Sequence, residues 1–144
     1  VECSFENCDL SNAIVKTTAF KEVNFINCQL TEINFSICDP FLLNFGFENC
    51  IMDGSSFFQL SLKSALFRKC SLKKTDFEDC DLTQATFDDC DLDRAIFENT
   101  ILEKASFVTS INYSIDPEKN RVKKTKFSSQ GLSGLLSKYD LEIQ

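Results

Sequence analysis

The chain has 144 residues, with 22 Asp and Glu against 15 Lys and Arg, 15 Phe, eight Cys and neither Trp nor His. That length predicts one domain. The composition excludes an imidazole base, and the net charge of −7 argues against nucleic-acid binding, which needs a continuous basic face.

From the N-terminus, large residues recur every five positions: Phe5, Leu10, Val15, Phe20, Phe25, Leu30, Phe35, Pro40 and Phe45. A period of five is neither the helical 3.6 nor the strand period of two. Each such residue can be taken as the centre of a unit, with a small residue two positions before it. Alternate residues of an extended segment point the same way, so the small residue and the centre both face inward. The other three positions are mostly polar and face water. Each unit therefore predicts one short flat side followed by a turn. Pro40 holds a centre but cannot donate a ladder hydrogen bond, so the side around Asp39–Phe41 is expected to bend.

From Met52 onward the centres are shifted by two residues. The seven-residue step from Phe45 to Met52 predicts a two-residue bulge near Gly46-Phe47, where glycine suits the unusual backbone. With that bulge, centres twenty or twenty-two apart form columns. One is all phenylalanine: Phe5, Phe25, Phe45, Phe67, Phe87 and Phe107. The next holds Leu10, Leu30, Met52, Leu72 and Leu92, with Cys8, Cys28, Cys50, Cys70 and Cys90 as an inward ladder beside it. In this register Phe47 and Phe58 have no inward slot. Either the register differs locally or both lie on the surface.

Residues 65–107 repeat most cleanly. Ala65, Ala85, Ala95 and Ala105 precede Phe centres, while Cys70, Cys80 and Cys90 precede Leu centres. A large centre takes the smallest neighbour, which keeps the volume of each side nearly constant, as close packing demands. The pattern resembles the pentapeptide-repeat family, whose motif is Ala-Asp/Asn-Leu-X-X. The resemblance implies an all-β right-handed quadrilateral β-helix, four repeats to a coil, over residues 1–127. It also implies a scaffold for another protein and no enzyme. No glycine-rich phosphate loop is present, and the acidic pairs Glu78-Asp79 and Asp88-Asp89 fall on a convex surface. No cofactor is expected.

All eight Cys hold the small inward position, where a free thiol behaves as a small hydrophobe. No two are closer than five residues and no His accompanies them, unlike the close pairs of zinc sites. Reduced, metal-free thiols are expected, and with them a cytoplasm-like compartment. The alternative reading is a thiol-rich metal-binding or redox protein that uses the ladder. No apolar run approaches a membrane span of about 18 residues.

After Phe107 the repeat degrades. Asn112, Pro117, Val122 and Phe127 keep the step of five, which predicts a distorted last coil over 108–127 with a turn at Asp116-Pro117. Ser128 and Ser129 suit a helix N-cap. Leu132, Leu135, Leu136 and Tyr139 follow at helical spacing despite Gly131 and Gly134. Leu141-Glu142-Ile143 alternates like a strand. Residues 128–144 are thus expected to form an α-helix and strand that cap the last coil. This tail resembles the dimerisation module of the quinolone-resistance members of the family, which implies a homodimer through Leu132, Leu135, Leu136, Tyr139, Leu141 and Ile143.

Charge is unevenly spread. Asp76, Glu78, Asp79, Asp81, Asp88, Asp89, Asp91, Asp93 and Glu98 meet only Arg94 between residues 76 and 98. A solvated surface is the ordinary role of such a band. The topoisomerase-protecting members of the family imply a sharper one: an acidic, DNA-shaped rod that binds DNA gyrase or topoisomerase IV, with these residues as the binding face. No direct nucleic-acid or membrane contact is expected.

Overall fold

A flat side of five residues must turn before its partner side can close a coil, and the turn falls two residues after each centre. In the computed structural model, which describes residues 3–144, that position takes a left-handed backbone around almost the whole rod. Asn27, Lys74, Gln84 and Lys104 lie at φ 53, 57, 60 and 60°. Most corners are closed by a bond from three residues on, as from Ala85 N to Leu82 O at 3.0 Å. The short polar or long flexible residues there tolerate the conformation better than branched ones do.

Successive coils pair in parallel. Strands β1 (Cys3–Glu6), β2 (Val23–Ile26), β3 (Phe45–Glu48), β4 (Leu66–Arg68) and β5 (Thr86–Asp88) form one sheet in sequence order. Single bridges Thr86↔Ser106 and Ser106↔Lys126 extend it by two levels. We call this the first face. The second bears Leu72 and Leu92, the third Phe77 and Phe97, the fourth Leu82 and Leu102. Bridges such as Ser71↔Asp91, Asp76↔Ile96 and Asp81↔Ile101 run up those faces. The fold is the quadrilateral β-helix that the repeat predicts.

The interior is a filled column. Phe67 and Phe87 stack at 4.9 Å between centroids with 1° between planes, and Phe57 and Phe77 at 5.5 Å and 4°. Across the rod, Phe77 meets Phe87 edge-on at 5.6 Å and 87°. Stacking within a column and edge-to-face contact between columns are the two arrangements that ring quadrupoles favour.

The register break lies elsewhere than expected. Val23 pairs with Phe45 and Phe25 with Phe47, so the two extra residues precede Phe45. They fall in the corner between Asp39, which bridges Ala19, and Asn44, whose N–H reaches Phe20 O at 3.0 Å. Phe47, 1% exposed, is the centre, and Phe45 fills the small inward position. The all-phenylalanine column therefore runs Phe5, Phe25, Phe47, Phe67, Phe87, Phe107, Phe127. Pro40 is exposed rather than central. Phe58 keeps an outward, half-buried place.

The tail also departs from expectation. Residues Ser129–Leu135 and Ser137–Tyr139 are 3₁₀ segments, not an α-helix, and residues 141–143 form no strand. The cause is close packing on Tyr113. A Cβ on Gly134 would lie 2.3 Å from the Tyr113 carbonyl oxygen, and one on Gly131 would lie 1.9 Å from its hydroxyl. Ser128 caps the segment by accepting from Gly131 N at 3.2 Å. Gly134 O accepts from Ile115 N at 2.9 Å, and Lys138 pairs with Asp116 at 3.2 Å and with Glu118. In the last coil Tyr113 and Ile115 are buried, whereas Asn112 is exposed and is no centre. The turn at Asp116-Pro117 is present, closed by Lys119 N to Asp116 O at 3.1 Å.

Candidate functional site

The carboxylates between residues 76 and 98 divide into two kinds. Asp76, Asp81 and Asp91 each stand one residue before a centre and turn back on the backbone. Asp76 Oδ1 accepts from Glu78 N at 2.9 Å, Asp81 Oδ1 from Thr83 N at 3.0 Å, and Asp91 Oδ1 from Asp93 N at 3.1 Å. These are local turn bonds, so the repeat's aspartate has a structural use. Partial burial raises the pKa of Asp81, but Thr83 and Lys63 outweigh it and hold the carboxyl below its usual value. Asp88 accepts from Thr109 Oγ1 at 2.8 Å and faces Arg68 at 3.6 Å.

The second kind points out. Among the described residues, the side chains of Glu78, Asp79, Asp89 and Asp93 take part in no hydrogen bond or ion pair. Glu98 meets Lys119 only at 3.8 Å. Asp89 stands on the corner between the first and second faces, Asp93 between the second and third. Glu78, Asp79 and Glu98 share the corner between the third and fourth. The acidic residues thus wrap three corners of adjacent coils and do not form one strip.

The thiols lie inside and are used there. Cys28, Cys50, Cys70 and Cys90 stand in one inward ladder, as the bridges Gln29↔Ile51, Ile51↔Ser71 and Ser71↔Asp91 beside them require. Cys28 Sγ donates to Phe5 O at 3.2 Å, Cys50 Sγ to Phe25 O at 3.3 Å and Cys90 Sγ to Phe67 O at 3.3 Å. Ser110 continues the pattern to Phe87 O at 2.6 Å. On the fourth face Cys80 reaches Phe57 O at 2.8 Å and Thr100 reaches Phe77 O at 2.9 Å. The small inward position therefore supplies a donor to the coil before it as well as the right volume. Sequence reasoning found the volume and missed the donor, although Ser, Thr and Cys alternating at one site were its signal. Burial pushes the Cys80 thiol up to about 12 and the Cys38 thiol to about 11. All eight cysteines are free, with Cys3 exposed and Cys8 half-buried. Among the described residues no group of three or more His, Cys, Asp and Glu could hold a metal.

Concave surface is scarce. An open cleft of about 590 Å³ separates the tail from the last coils, lined by Thr109, Asn112, Gln130 and Ser133 among others, with Asp93 as its one carboxylate. Its other titratable group is the phenol of Tyr113, whose pKa burial raises, and no base stands there to pair with Asp93. Of the tail residues expected at a dimer interface, Leu132, Leu136, Tyr139, Leu141 and Ile143 are exposed, while Leu135 packs against the core. Among the described residues no helix is long and apolar enough to cross a membrane.

A family model for a pentapeptide repeat region matches residues 42–114, and a second, for pentapeptide repeats in eight copies, matches residues 1–36. No curated protein matches the sequence. Among solved structures, full-length QnrB1, a plasmid-mediated fluoroquinolone resistance protein, is 14% identical with a TM-score of 0.48, over 96% of this chain and 100% of that one. A pentapeptide-repeat protein of the Arabidopsis thaliana thylakoid lumen is 16% identical at 0.46, over 80% and 68%. HetL of Nostoc, a pentapeptide-repeat protein involved in regulating heterocyst differentiation, is 12% identical at 0.42, over 87% and 85%. These likenesses are too distant to carry function.

Proposed function

The chain belongs to the pentapeptide-repeat family, and we propose that it is a non-enzymatic rod that offers its outer surface to another protein. One observation supports this most: Glu78, Asp79 and Asp89 project from convex corners over a filled core, Asp93 borders the open cleft under the tail, and among the described residues none of the four carboxylates has a partner. Unsatisfied surface charge on a stiff scaffold is suited to electrostatic recognition. Catalysis needs instead a concave site with paired acid and base.

The most specific partner that this charge fits is a type II topoisomerase, DNA gyrase or topoisomerase IV, whose DNA-binding groove must be basic to hold phosphates. The acidic corners would occupy that groove in place of a duplex. Seven coil levels at about 4.8 Å give a rod of roughly 30 Å, short for such a groove. A two-fold dimer through Leu132, Leu136, Tyr139, Leu141 and Ile143 would double it. The thiols are spent on backbone carbonyls, which does not favour a metal or redox role, and reduced thiols suit a reducing compartment.

Titrating labelled protein with purified gyrase and topoisomerase IV at several salt concentrations tests the reading. Binding that weakens steeply with salt supports it. No binding to either enzyme at low salt removes the topoisomerase and leaves a scaffold for a different protein.

A further inference from the structure

Four cations crowd residues 121–126, and the coil before adds Lys104 to them in space. Ile101 bridges Arg121 and Ser106 bridges Lys126. Lys104 N donates to Lys123 O at 3.1 Å. Lys104 and Lys124, twenty residues apart, both hold the left-handed corner position, at φ 60 and 59°. Lys104, Arg121, Lys123, Lys124 and Lys126 therefore lie on and beside one corner, between the fourth and first faces, on two adjacent coils. All five are exposed, and none forms an ion pair among the described residues. Glu103 is the one acid among them. One coil earlier the same corner carries Thr83 and Gln84. None of the carboxylates between residues 76 and 98 stands on it.

We propose that this corner is a binding edge for the phosphodiester backbone of a duplex nucleic acid. It is convex, so it cannot enclose a small anion. It carries charge without an apolar anchor: Ser106 is polar and Ile101 is half-buried, whereas segments that lie on a bilayer insert an apolar face beside their cations. Lysine and arginine contacts to phosphate position a protein without reading sequence. The cluster spans roughly 10 Å, two coil levels and a corner. A duplex presents a phosphate charge about every 1.7 Å of its axis, so several phosphates fall within reach. On the other three corners cations stand among carboxylates, Arg68, Lys73 and Lys119 facing Asp88, Asp91 and Glu98 and Arg94 following Asp93, so this edge has the densest unpaired positive charge. The inference is independent of the topoisomerase reading. It also revises the sequence-based expectation of no nucleic-acid contact, because stacking of coils adds Lys104 to the basic run 121–126 and broadens it into an edge.

Fluorescence anisotropy with labelled duplexes of about 20 base pairs, one DNA and one RNA of matched sequence, tests the edge at about 50 to 200 mM salt. The wild type is compared with K123Q/K124Q and with K69Q/K74Q, which removes the same charge from two other corners. Glutamine already occupies this corner at Gln84 and another at Gln59 with left-handed backbone, so folding is preserved, and circular dichroism checks it. The expected result is duplex binding at low salt with a log–log salt slope no steeper than about 4.5, the limit for five phosphates. K123Q/K124Q then loses about tenfold or more and its slope falls by about two, while K69Q/K74Q changes less than about threefold. DNA and RNA duplexes binding alike fits contacts to backbone alone, and a preference for either names the source. No duplex binding at the lowest salt, an equal loss in the two variants, or tighter binding to anionic vesicles or polyglutamate than to duplex overturns the proposal.

Discussion

The ring of Phe45 lies 4.9 Å from that of Phe20, centroid to centroid, in the column where the repeat places Pro40. Phe45 also meets Phe35 edge-on at 5.3 Å. Pro40 has left the core with the inserted corner, and the phenylalanine at a normally small position reaches across to fill the gap. Phe41, on the corner itself, is 64% exposed. Phe45→Ala is therefore expected to cost about 3–5 kcal/mol as an unfilled cavity, and Phe41→Ala within about 0.5 kcal/mol. Urea unfolding of the two variants checks this. Equal losses would mean that Phe45 does not fill the core in place of Pro40.

That relationship also shows what the sequence can and cannot tell. The five-residue period and the in-out alternation fix the coil, the columns and the cysteine ladder. They cannot locate the insertion. A shift of two residues keeps the in-out alternation of all that follows, so an insertion before Phe45 and one after it both leave an all-phenylalanine column, through Phe47 or through Phe45. The tail fails for a related reason. Leu132, Leu135 and Leu136 fit 3₁₀ spacing as well as α, and the two glycines are explained only by Tyr113, a residue remote in sequence. The outward acids were legible as a group, but which of them are turn caps became clear only from their bonds to Glu78, Thr83 and Asp93 N–H groups. Of the basic corner, the run of cations over 119–126 is plain in the sequence, but Lys104 joins Lys124 only when coils stack.

The thiols yield a prediction about pH. A buried thiol whose folded pKa lies above its unfolded value of 9.0 stays protonated in the native state while the unfolded chain loses its proton. The unfolded state then binds fewer protons, so stability falls as pH rises. For Cys38 and Cys80 the fall begins near pH 9 and continues to about 11 and 12. Below pH 9 these two add no slope. Melting temperature measured across that range should drop, and Cys80→Ser should lessen the drop while keeping a donor to Phe57 O. A flat profile above pH 9 would contradict the burial of these thiols. In native protein at pH 8, an aromatic disulfide reagent should modify Cys3 and Cys8 and spare the six buried thiols.

The two kinds of aspartate separate by stability. Asp81→Ala removes bonds from Thr83 N and Thr83 Oγ1 and should cost about 1 kcal/mol or more. Asp79→Ala and Asp89→Ala remove no such bond and should stay within about 0.5 kcal/mol. The depressed pKa of Asp81 adds a sign: its contribution is present above the usual value of 3.8 and is lost as pH falls through the lower folded value. Acid unfolding should therefore be less steep in Asp81→Asn than in the wild type.

Tail closure rests on the fit of Gly134 to Tyr113. Gly134→Ala would place a methyl 2.3 Å from a backbone oxygen, a clash that a flexible side chain cannot relieve, and should cost roughly 1–3 kcal/mol. Hydrogen exchange should rise first at Ile115 N, which donates to Gly134 O. Exchange that rises uniformly along the rod would mean that the tail is no separate cap.

The acidic corners are tested most directly by a gyrase supercoiling assay, with and without a quinolone. It compares the wild type with a variant carrying Glu78→Lys, Asp79→Lys, Asp89→Lys and Asp93→Lys. All four side chains face outward, and lysine already holds the left-handed corner position at Lys69, Lys74 and Lys104, so the variant should fold. The wild type is expected to change supercoiling or its inhibition by the drug, with an effect that fades as salt rises toward physiological strength, where screening acts over about 8 Å. The folded variant is expected to have no effect. A wild type without effect at any salt, or a variant as active as the wild type, would contradict the account.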